Sequence, residues 1–475
     1  MEENRNAPET VSEAVGSEPA NAPKRSSFSG KIGFVLAAAG SAVGLGNLWR
    51  FPYLAAKYGG GIFLLVYILL AVTFGSTLML VEIALGRKTG KSVIEAFRSL
   101  NQKYYFIGIV AALVPVIILP YYCVIGGWVT KYLYTFVAGG MEAAATDGFF
   151  NAFISGAWQP ILFFLVFVGL TFAVVIFGVE KGIERVSKIL MPVLVLLAVA
   201  IAIYVMTIPG ALEGVLYYIK PDFSKLSAGT FLGALGQLFY SMSLAMGIMV
   251  TYGSYMKKET SIPSAVKQIE IFDTGIAFVA GLMIVPAAFV FFGGDMNQMN
   301  QGPGLMFVVL PQVFASMPGG VAIGILFFLL VLFAALTSSV SLMETVVSLV
   351  SDRFGFKRKK SSLIVLGITL LIGVPTALGF GPLAALSIGG MTLLDMFDFL
   401  SNSVLMPLVA LGTCIFVGWI IGPKQITDEL ELTKPFKKGN KTVFNVMVKY
   451  IAPICLVLIL VSSVLGAFGV PFFSF

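Results

Sequence analysis

Histidine is absent from the 475 residues of this chain, and charged residues are scarce. The chain therefore lacks the side chain that most often serves as general base and metal ligand, so we do not expect an enzyme. Its three cysteines, Cys123, Cys414 and Cys455, all lie in apolar stretches, which favours packing roles over external disulfides. Only 12% of the residues are charged and 58% are hydrophobic, a composition that excludes an ordinary soluble domain.

Apolar stretches of about 20 residues recur along the chain, each long enough to cross a hydrocarbon core roughly 30 Å thick. We therefore predict an all-α polytopic membrane protein with about eleven transmembrane helices. The predicted spans cover residues 28–54, 61–87, 105–138, 160–178, 184–208, 230–257, 264–292, 319–353, 362–379, 391–422 and 445–471.

The net charge of +7 comes from basic residues confined to alternate connections. This pattern follows the positive-inside rule, so the expected partner is the lipid bilayer and not nucleic acid, and no obligatory protein partner is evident. We predict a cytoplasmic N-terminus, and an odd number of spans then places the C-terminus outside. The residues that mark the cytoplasmic side include Lys24, Lys31, Arg87, Lys91, Arg98, Lys103, Lys181, Arg185, Lys258, Arg353 and Lys360.

Two spans are interrupted by small and polar residues. The first contains Gly40-Ser-Ala-Val-Gly-Leu-Gly-Asn-Leu-Trp-Arg50, and the sixth contains Phe239-Tyr-Ser-Met-Ser-Leu-Ala-Met-Gly247. Irregular backbone at membrane depth is tolerated only where it lines a cavity or is buried in protein. Interrupted segments in matching positions of two halves indicate a transporter site built on inverted repeats.

These segments divide the chain into five regions. We predict a disordered cytoplasmic tail at 1–22, a first repeat at 23–208, an extracellular loop at 209–228, a second repeat at 229–422, and a cytoplasmic loop with the last span at 423–475.

The first-span segment, together with Gly59-Gly-Gly61 and Glu82-Ile-Ala-Leu-Gly-Arg87, strongly resembles the neurotransmitter:sodium symporter family. The resemblance covers roughly residues 24–422 and implies a LeuT-like fold, a 5+5 inverted repeat with broken helices 1 and 6. It implies sodium-coupled symport by alternating access, here across a bacterial cytoplasmic membrane. Glu82 is then expected to hold the broken region of the first span.

The resemblance implies two sodium ions, which prefer oxygen ligands. One site would comprise Ala42, Asn47, Ser241 and Asp273 with the substrate carboxylate, and the other Gly40, Val43, Ala334, Thr337 and Ser338.

An acid within the membrane is costly and is treated as functional by default. We predict that Asp273 supplies the negative charge that chloride supplies in chloride-dependent relatives, so no chloride requirement is expected. Whether Asp273 binds sodium directly stays open.

The substrate is predicted to be a neutral L-amino acid with a hydrophobic or aromatic side chain. Monoamine-type relatives carry an aspartate at the position of Gly44, so the glycine favours a substrate with its own carboxylate. Another small carboxylate or sulfonate zwitterion, or an amino-acid sensor that does not transport, stays open. The resemblance places Ala245 near the side chain of the substrate. The implied substrate-binding residues are Ser41, Ala42, Leu45, Gly46, Ile118, Tyr122, Tyr240, Ser243, Met246, Ser338 and Leu342.

Two gates are implied by the same resemblance. Arg50 and Asp398 match an outer charge pair, above an aromatic lid of Tyr122 and Tyr240. In the fifth span, a glycine at 182 and a proline at 192 predict a cytoplasmic end that can unwind. The implied inner gate consists of Arg25, Phe28, Tyr255 and Asp352.

Overall fold

The structure is a computed structural model that describes residues 26–296, 299, 302–387, 389–436 and 438–467. The predicted tail at 1–22 and the inner-gate residue Arg25 lie outside these residues. Within them the chain is mainly helical, and an isolated antiparallel bridge joins Gly60 and Pro221.

The helices follow the predicted spans closely. In chain order they are α1 (Lys31–Ala42), α2 (Gly46–Lys57), α3 (Gly61–Thr89), α4 (Val93–Leu100), α5 (Gln102–Val137), α6 (Met141–Ala144), α7 (Phe149–Ile154), α8 (Gln159–Ile176), α9 (Val179–Met206), α10 (Ala211–Ile219), α11 (Ala228–Ser241), α12 (Ile248–Gly253), α13 (Ile262–Phe291), α14 (Leu305–Ala315), α15 (Gly320–Phe354), α16 (Arg358–Leu378), α17 (Leu393–Ile420), α18 (Lys424–Leu430) and α19 (Gly439–Gly466).

Among the described residues, nine helices are long and apolar enough to cross a membrane, and α1 with α2 forms a further pair bent by 53°. Helices α11 and α12 are a second interrupted pair, separated by the non-helical residues 242–247. Counting each interrupted pair as one span gives the number predicted from the sequence. The predicted all-α membrane architecture is thus confirmed.

The interrupted spans lie at the centre of the helix bundle. Helix α1 packs against α9, α13 and α15, and α12 packs against α3 and α15. Nine of the twelve residues of α1 are buried. A span surrounded by protein on most sides is shielded from lipid, which allows its backbone to leave the helical conformation without facing hydrocarbon.

Candidate functional site

The break in the first span leaves backbone groups free of helical hydrogen bonds. Helix α1 ends at Ala42, and Val43 is extended, with φ −74° and ψ 100°. The chain resumes at Gly46 with a π-helical turn that continues to Arg50. Carbonyl oxygens at such a break are available to a ligand or an ion.

The break in the sixth span has a left-handed backbone. Ser243, Ala245 and Gly247 have φ values of 52°, 60° and 70°. The two breaks touch each other, because the Ser243 hydroxyl donates to the carbonyl of Ser41 at 2.9 Å. The Ala245 N–H donates to Glu82 Oε1 at 2.6 Å. Glu82 therefore hydrogen-bonds to the sixth span, and its Oε2 has no hydrogen-bond partner among the described residues, contrary to the expectation that it holds the first span.

Ala245 is also not part of the cavity wall, contrary to the expectation from the resemblance. Its left-handed conformation brings Cβ close to the following carbonyl oxygen, at a cost of roughly 1–2 kcal/mol that glycine avoids. We expect Ala245→Gly to raise the unfolding free energy by about 1 kcal/mol, less than the strain because glycine gains entropy when unfolded. Thermal unfolding in detergent measures this, and a lower melting temperature would contradict it.

A narrow central cavity lies between the two breaks, with about 400 Å³ of atom-free space, part of it open to solvent. Its lining combines polar backbone and hydroxyl groups with the apolar side chains of Ile118, Met246 and Leu342. All eleven residues implied as substrate-binding line it, and two further residues do so. Of these two, Gly44 was singled out because monoamine-type relatives carry an aspartate there, and Ile248 was missed although it directly follows the break. The lining comprises Ser41, Ala42, Gly44, Leu45, Gly46, Ile118, Tyr122, Tyr240, Ser243, Met246, Ile248, Ser338 and Leu342.

The polar end of this cavity is next to Gly44. A Cβ atom there would lie 2.8 Å from Ser338 Oγ and 3.2 Å from the Tyr122 hydroxyl. That hydroxyl is buried and has no hydrogen-bond partner among the described residues. A buried donor without a partner is costly, so its position is suited to receive a group of a bound ligand.

Beside the cavity, hydroxyl and carbonyl oxygens form a first cluster. Ser338 Oγ lies 3.4 Å from the carbonyl oxygens of both Gly40 and Val43. Thr337 Oγ1 lies 3.1 Å from the carbonyl oxygen of Ala334. The five residues of one predicted sodium site are thus brought together, and an uncharged all-oxygen donor set suits a hard cation such as sodium.

A second cluster surrounds Asp273, which is fully buried. Its Oδ1 accepts hydrogen bonds from Asn47 Nδ2 at 2.8 Å and from Ser241 Oγ at 2.7 Å. Its Oδ2 accepts from the Tyr67 hydroxyl at 3.1 Å. Asn47, Ser241 and Asp273 of the other predicted sodium site therefore share one location.

The surroundings of this second cluster are polar as well. Asn47 Oδ1 accepts from the Gly44 N–H at 3.1 Å, which ties the cluster to the break in the first span. Gln237 Nε2 donates to the carbonyl of Gly46 at 2.9 Å, and its Oε1 is buried without a partner among the described residues. Ala42 lines the adjoining cavity. Carboxylate, amide and hydroxyl oxygens again match the preference of sodium.

The sequence profile described as the Sodium:neurotransmitter symporter family matches residues 25–148 and 155–471. The chain belongs to this family. It is therefore a sodium-coupled membrane transporter and not an enzyme, as predicted.

Relatives of this symporter include an uncharacterized sodium-dependent transporter, YhdH, of Bacillus subtilis (strain 168). It is 35% identical over 92% of this chain and 97% of its own length. The human sodium- and chloride-dependent GABA transporter 2 is 27% identical over 86% of this chain and 75% of its own. The crystal structure of MhsT in complex with L-phenylalanine matches with a TM-score of 0.83 and 36% identity, covering 92% of this chain and 100% of that one. The LeuT-like fold is thereby confirmed.

The predicted outer-gate residues of this symporter face one vestibule above the central cavity. Arg50 and Asp398 both line it, but they form no direct ion pair in the described structure. Arg50 instead lies over the ring of Tyr240, 5.4 Å from its centroid. Asp398 accepts hydrogen bonds from Asn402 at 2.6 Å and from the Tyr121 hydroxyl at 3.2 Å.

The opposite end is closed by buried contacts. The Phe28 N–H donates to the carbonyl of Tyr255 at 3.1 Å, and the Phe28 ring packs edge-on against Tyr252. The Asp352 carboxylate accepts from the Ser92 N–H at 2.7 Å. Tyr255 and Asp352 line one cavity, so the described inner-gate residues lie at the same end.

Four further buried acids were missed in the sequence, and one of them, Glu429, pairs with Arg87. Glu344 pairs with Arg358 and accepts from the Tyr255 hydroxyl at 2.8 Å. Glu270 accepts from Ser76. Glu184 pairs with Lys188 at 2.6 Å, and the spacing of four residues on one helix is a signal that the sequence offered.

The cytoplasmic end of the fifth span, which was predicted to be able to unwind, is helical in this structure. Residues Val179–Glu184 form a π-helical turn, and the α-helix from Arg185 continues past Pro192. The Ser29 N–H donates to Glu184 at 2.8 Å, so this turn is tied to the start of the first span.

Proposed function

We propose that this protein carries a neutral L-amino acid with a hydrophobic or aromatic side chain into a bacterial cell, coupled to sodium, by alternating access. The N-terminus would be cytoplasmic and the C-terminus external. The observation that carries the proposal is the central cavity, which is lined by polar groups of the two helix breaks and by apolar side chains and is flanked by two clusters of oxygen ligands.

The polar end of the cavity is proposed to receive the substrate carboxylate. The unpartnered Tyr122 hydroxyl would donate to it, and the small size of Gly44 leaves the necessary space. The free backbone of the two breaks would hold the amine. Ile118, Met246 and Leu342 would enclose the side chain, and the flexible thioether of Met246 can adapt to its shape. That MhsT has been solved with L-phenylalanine supports this assignment.

Two sodium ions are proposed, one at each oxygen cluster. The cluster of Asn47, Ser241 and Asp273 adjoins the cavity through Gly44, so the substrate carboxylate would reach the ion there and couple the two species. Two charges entering with a zwitterion gain about 2.3 kcal/mol each per 100 mV of membrane potential. With the chemical sodium gradient, accumulation of about 10³-fold is attainable.

Asp273 is proposed to make transport independent of chloride. Its carboxylate occupies the position between Tyr67, Asn47 and Ser241 where an anion would otherwise balance the sodium charge. A fixed negative charge next to the ion removes the need for a mobile one.

The alternating gate is proposed to use the vestibule and the opposite closed end in turn. Arg50, already over Tyr240, would approach Asp398 when substrate is enclosed. We expect Arg50→Ala to lower the initial rate of uptake by about tenfold, since a weak pair of about 1 kcal/mol and the cation–π contact are both lost. If this variant takes up substrate in proteoliposomes at the wild-type rate, the assignment of Arg50 to the gate is contradicted.

The proposed function is tested by uptake of radiolabelled amino acids into proteoliposomes. With an inward sodium gradient, we expect accumulation of phenylalanine, tryptophan, leucine or a similar neutral amino acid, and little of glutamate, lysine or dopamine. Liposomes with potassium in place of sodium serve as control. Accumulation of no substrate under the sodium gradient would falsify symport and favour the sensor.

A further inference from the structure

A groove away from the transport path lies where α4 meets the start of α5 and the end of α15. It holds about 850 Å³ of atom-free space, part of it open to solvent. Arg98 and Arg353 line it with Glu95, Gln102, Tyr105 and Ile109. It lies at the end of the molecule that carries the basic connections.

The two arginines of the groove have unused hydrogen-bonding capacity. The side chains of Arg98 and Arg353 are 47% and 57% exposed. Each approaches Glu95 Oε1, at 3.6 and 3.8 Å, which is too long for a hydrogen bond. Neither guanidinium has a hydrogen-bond partner in the described part of the chain. One carboxylate between two guanidinium groups leaves a net positive charge.

An apolar stripe begins at the groove and runs along the membrane-spanning helix α5. Tyr105, Ile109 and Leu113 follow one another at helical spacing and are 45%, 38% and 46% exposed. Phe106 beside them is 54% exposed. On a transmembrane helix such a stripe faces lipid, so the groove joins a cationic site to a surface for acyl chains.

The position of the groove is fixed by a buried contact. Ser92, the residue before α4, donates its N–H to Asp352 at 2.7 Å, and Asp352 directly precedes Arg353. This bond holds α4 against the end of α15, so the two arginines stay on either side of one opening.

We propose that this groove binds the phosphate headgroup of an anionic phospholipid, such as phosphatidylglycerol, with an acyl chain along the stripe on α5. Planar guanidinium groups match phosphate oxygens in geometry and charge. Basic pockets between transmembrane helices at the cytoplasmic surface are sites where anionic headgroups bind. The apolar stripe favours a lipid over a soluble phosphate, which would use the arginines alone.

The test is native mass spectrometry of the purified full chain with added phosphatidylglycerol or phosphatidylcholine of identical acyl chains. We expect the wild type to retain phosphatidylglycerol in preference to phosphatidylcholine. Arg98→Gln combined with Arg353→Gln should weaken that binding by about tenfold or more, since each basic residue near the surface contributes to the attraction. The control, Lys181→Gln with Arg185→Gln, removes the same charge elsewhere on this end and should bind as the wild type does.

A second variant is expected to bind the lipid more tightly, a result that misfolding would not produce. Glu95→Gln removes the one acid that competes for the arginines, so we expect it to bind phosphatidylglycerol several-fold more tightly than the wild type, in line with one charge near the surface. Retention of phosphatidylglycerol by the double arginine variant at the wild-type level would overturn the proposal. So would equal competition by glycerol 3-phosphate, because a soluble anion would then suffice. These readouts do not involve amino-acid uptake, so failure here leaves the transport proposal separately testable.

Discussion

Asp273→Asn is expected to reduce sodium-driven uptake in chloride-free buffer by about 100-fold or more. The carboxylate is fully buried and accepts hydrogen bonds from Asn47, Ser241 and Tyr67. Removing one partner of a buried charge pair typically costs 3–5 kcal/mol, and a factor of ten corresponds to about 1.4 kcal/mol. Initial rates in proteoliposomes measure the effect. Asp428→Asn, which changes an exposed aspartate in α18, should leave the rate unchanged.

The effect of chloride on uptake by Asp273→Asn distinguishes the two roles that Asp273 can have. If it mainly supplies negative charge, chloride should restore part of the uptake of Asp273→Asn, because a mobile anion can replace a fixed one beside Tyr67 and Ser241. If it mainly ligates sodium, chloride should restore nothing. The wild type should transport equally when chloride is replaced by gluconate, and a wild type that requires chloride would contradict the proposed role.

Gly44→Ala is expected to weaken substrate binding by about 100-fold, because overpacking of a tight site costs roughly 1–3 kcal/mol and the Tyr122 contact is blocked as well. The added Cβ would lie 2.8 Å from Ser338 Oγ and 3.2 Å from the Tyr122 hydroxyl. It would therefore occupy the space proposed for the substrate carboxylate. Scintillation proximity binding of the labelled substrate in sodium buffer measures the change.

The matched control for this variant is Gly367→Ala. Gly367 lies within α16, and a Cβ there meets no atom within 4 Å. We expect it to bind substrate as the wild type does, with a slight gain in stability because alanine favours helix over glycine. If Gly44→Ala binds substrate with unchanged affinity, the substrate carboxylate does not bind beside Tyr122.

The central site could be predicted from the sequence because its signals are local. Glycines, serines and an asparagine inside an apolar span are rare enough to mark a helix break, and the resemblance of that segment to the family then implied the residues opposite it. The cavity is accordingly lined by Ile118, Tyr122 and Leu342. Without the resemblance, the sequence would indicate only ordinary packing roles for these residues.

The contacts that could not be predicted join residues far apart in the chain. Arg87 bonds Glu429 at 2.6 Å across 342 positions, and no local pattern at either residue indicates the other. The hydrogen bond between Glu82 and the sixth span could not be predicted for the same reason. A buried acid within a span shows that a partner exists, but the partner is selected by tertiary packing.

The most direct test of the transport proposal is simultaneous measurement of radioactive sodium and labelled substrate entering the same proteoliposomes. We predict that substrate accelerates sodium entry and that two sodium ions enter with each substrate molecule. Asp273→Asn should abolish the substrate-dependent part of the sodium flux. If substrate does not change sodium entry in the wild type, the proposed coupling of sodium and substrate at the two helix breaks is contradicted.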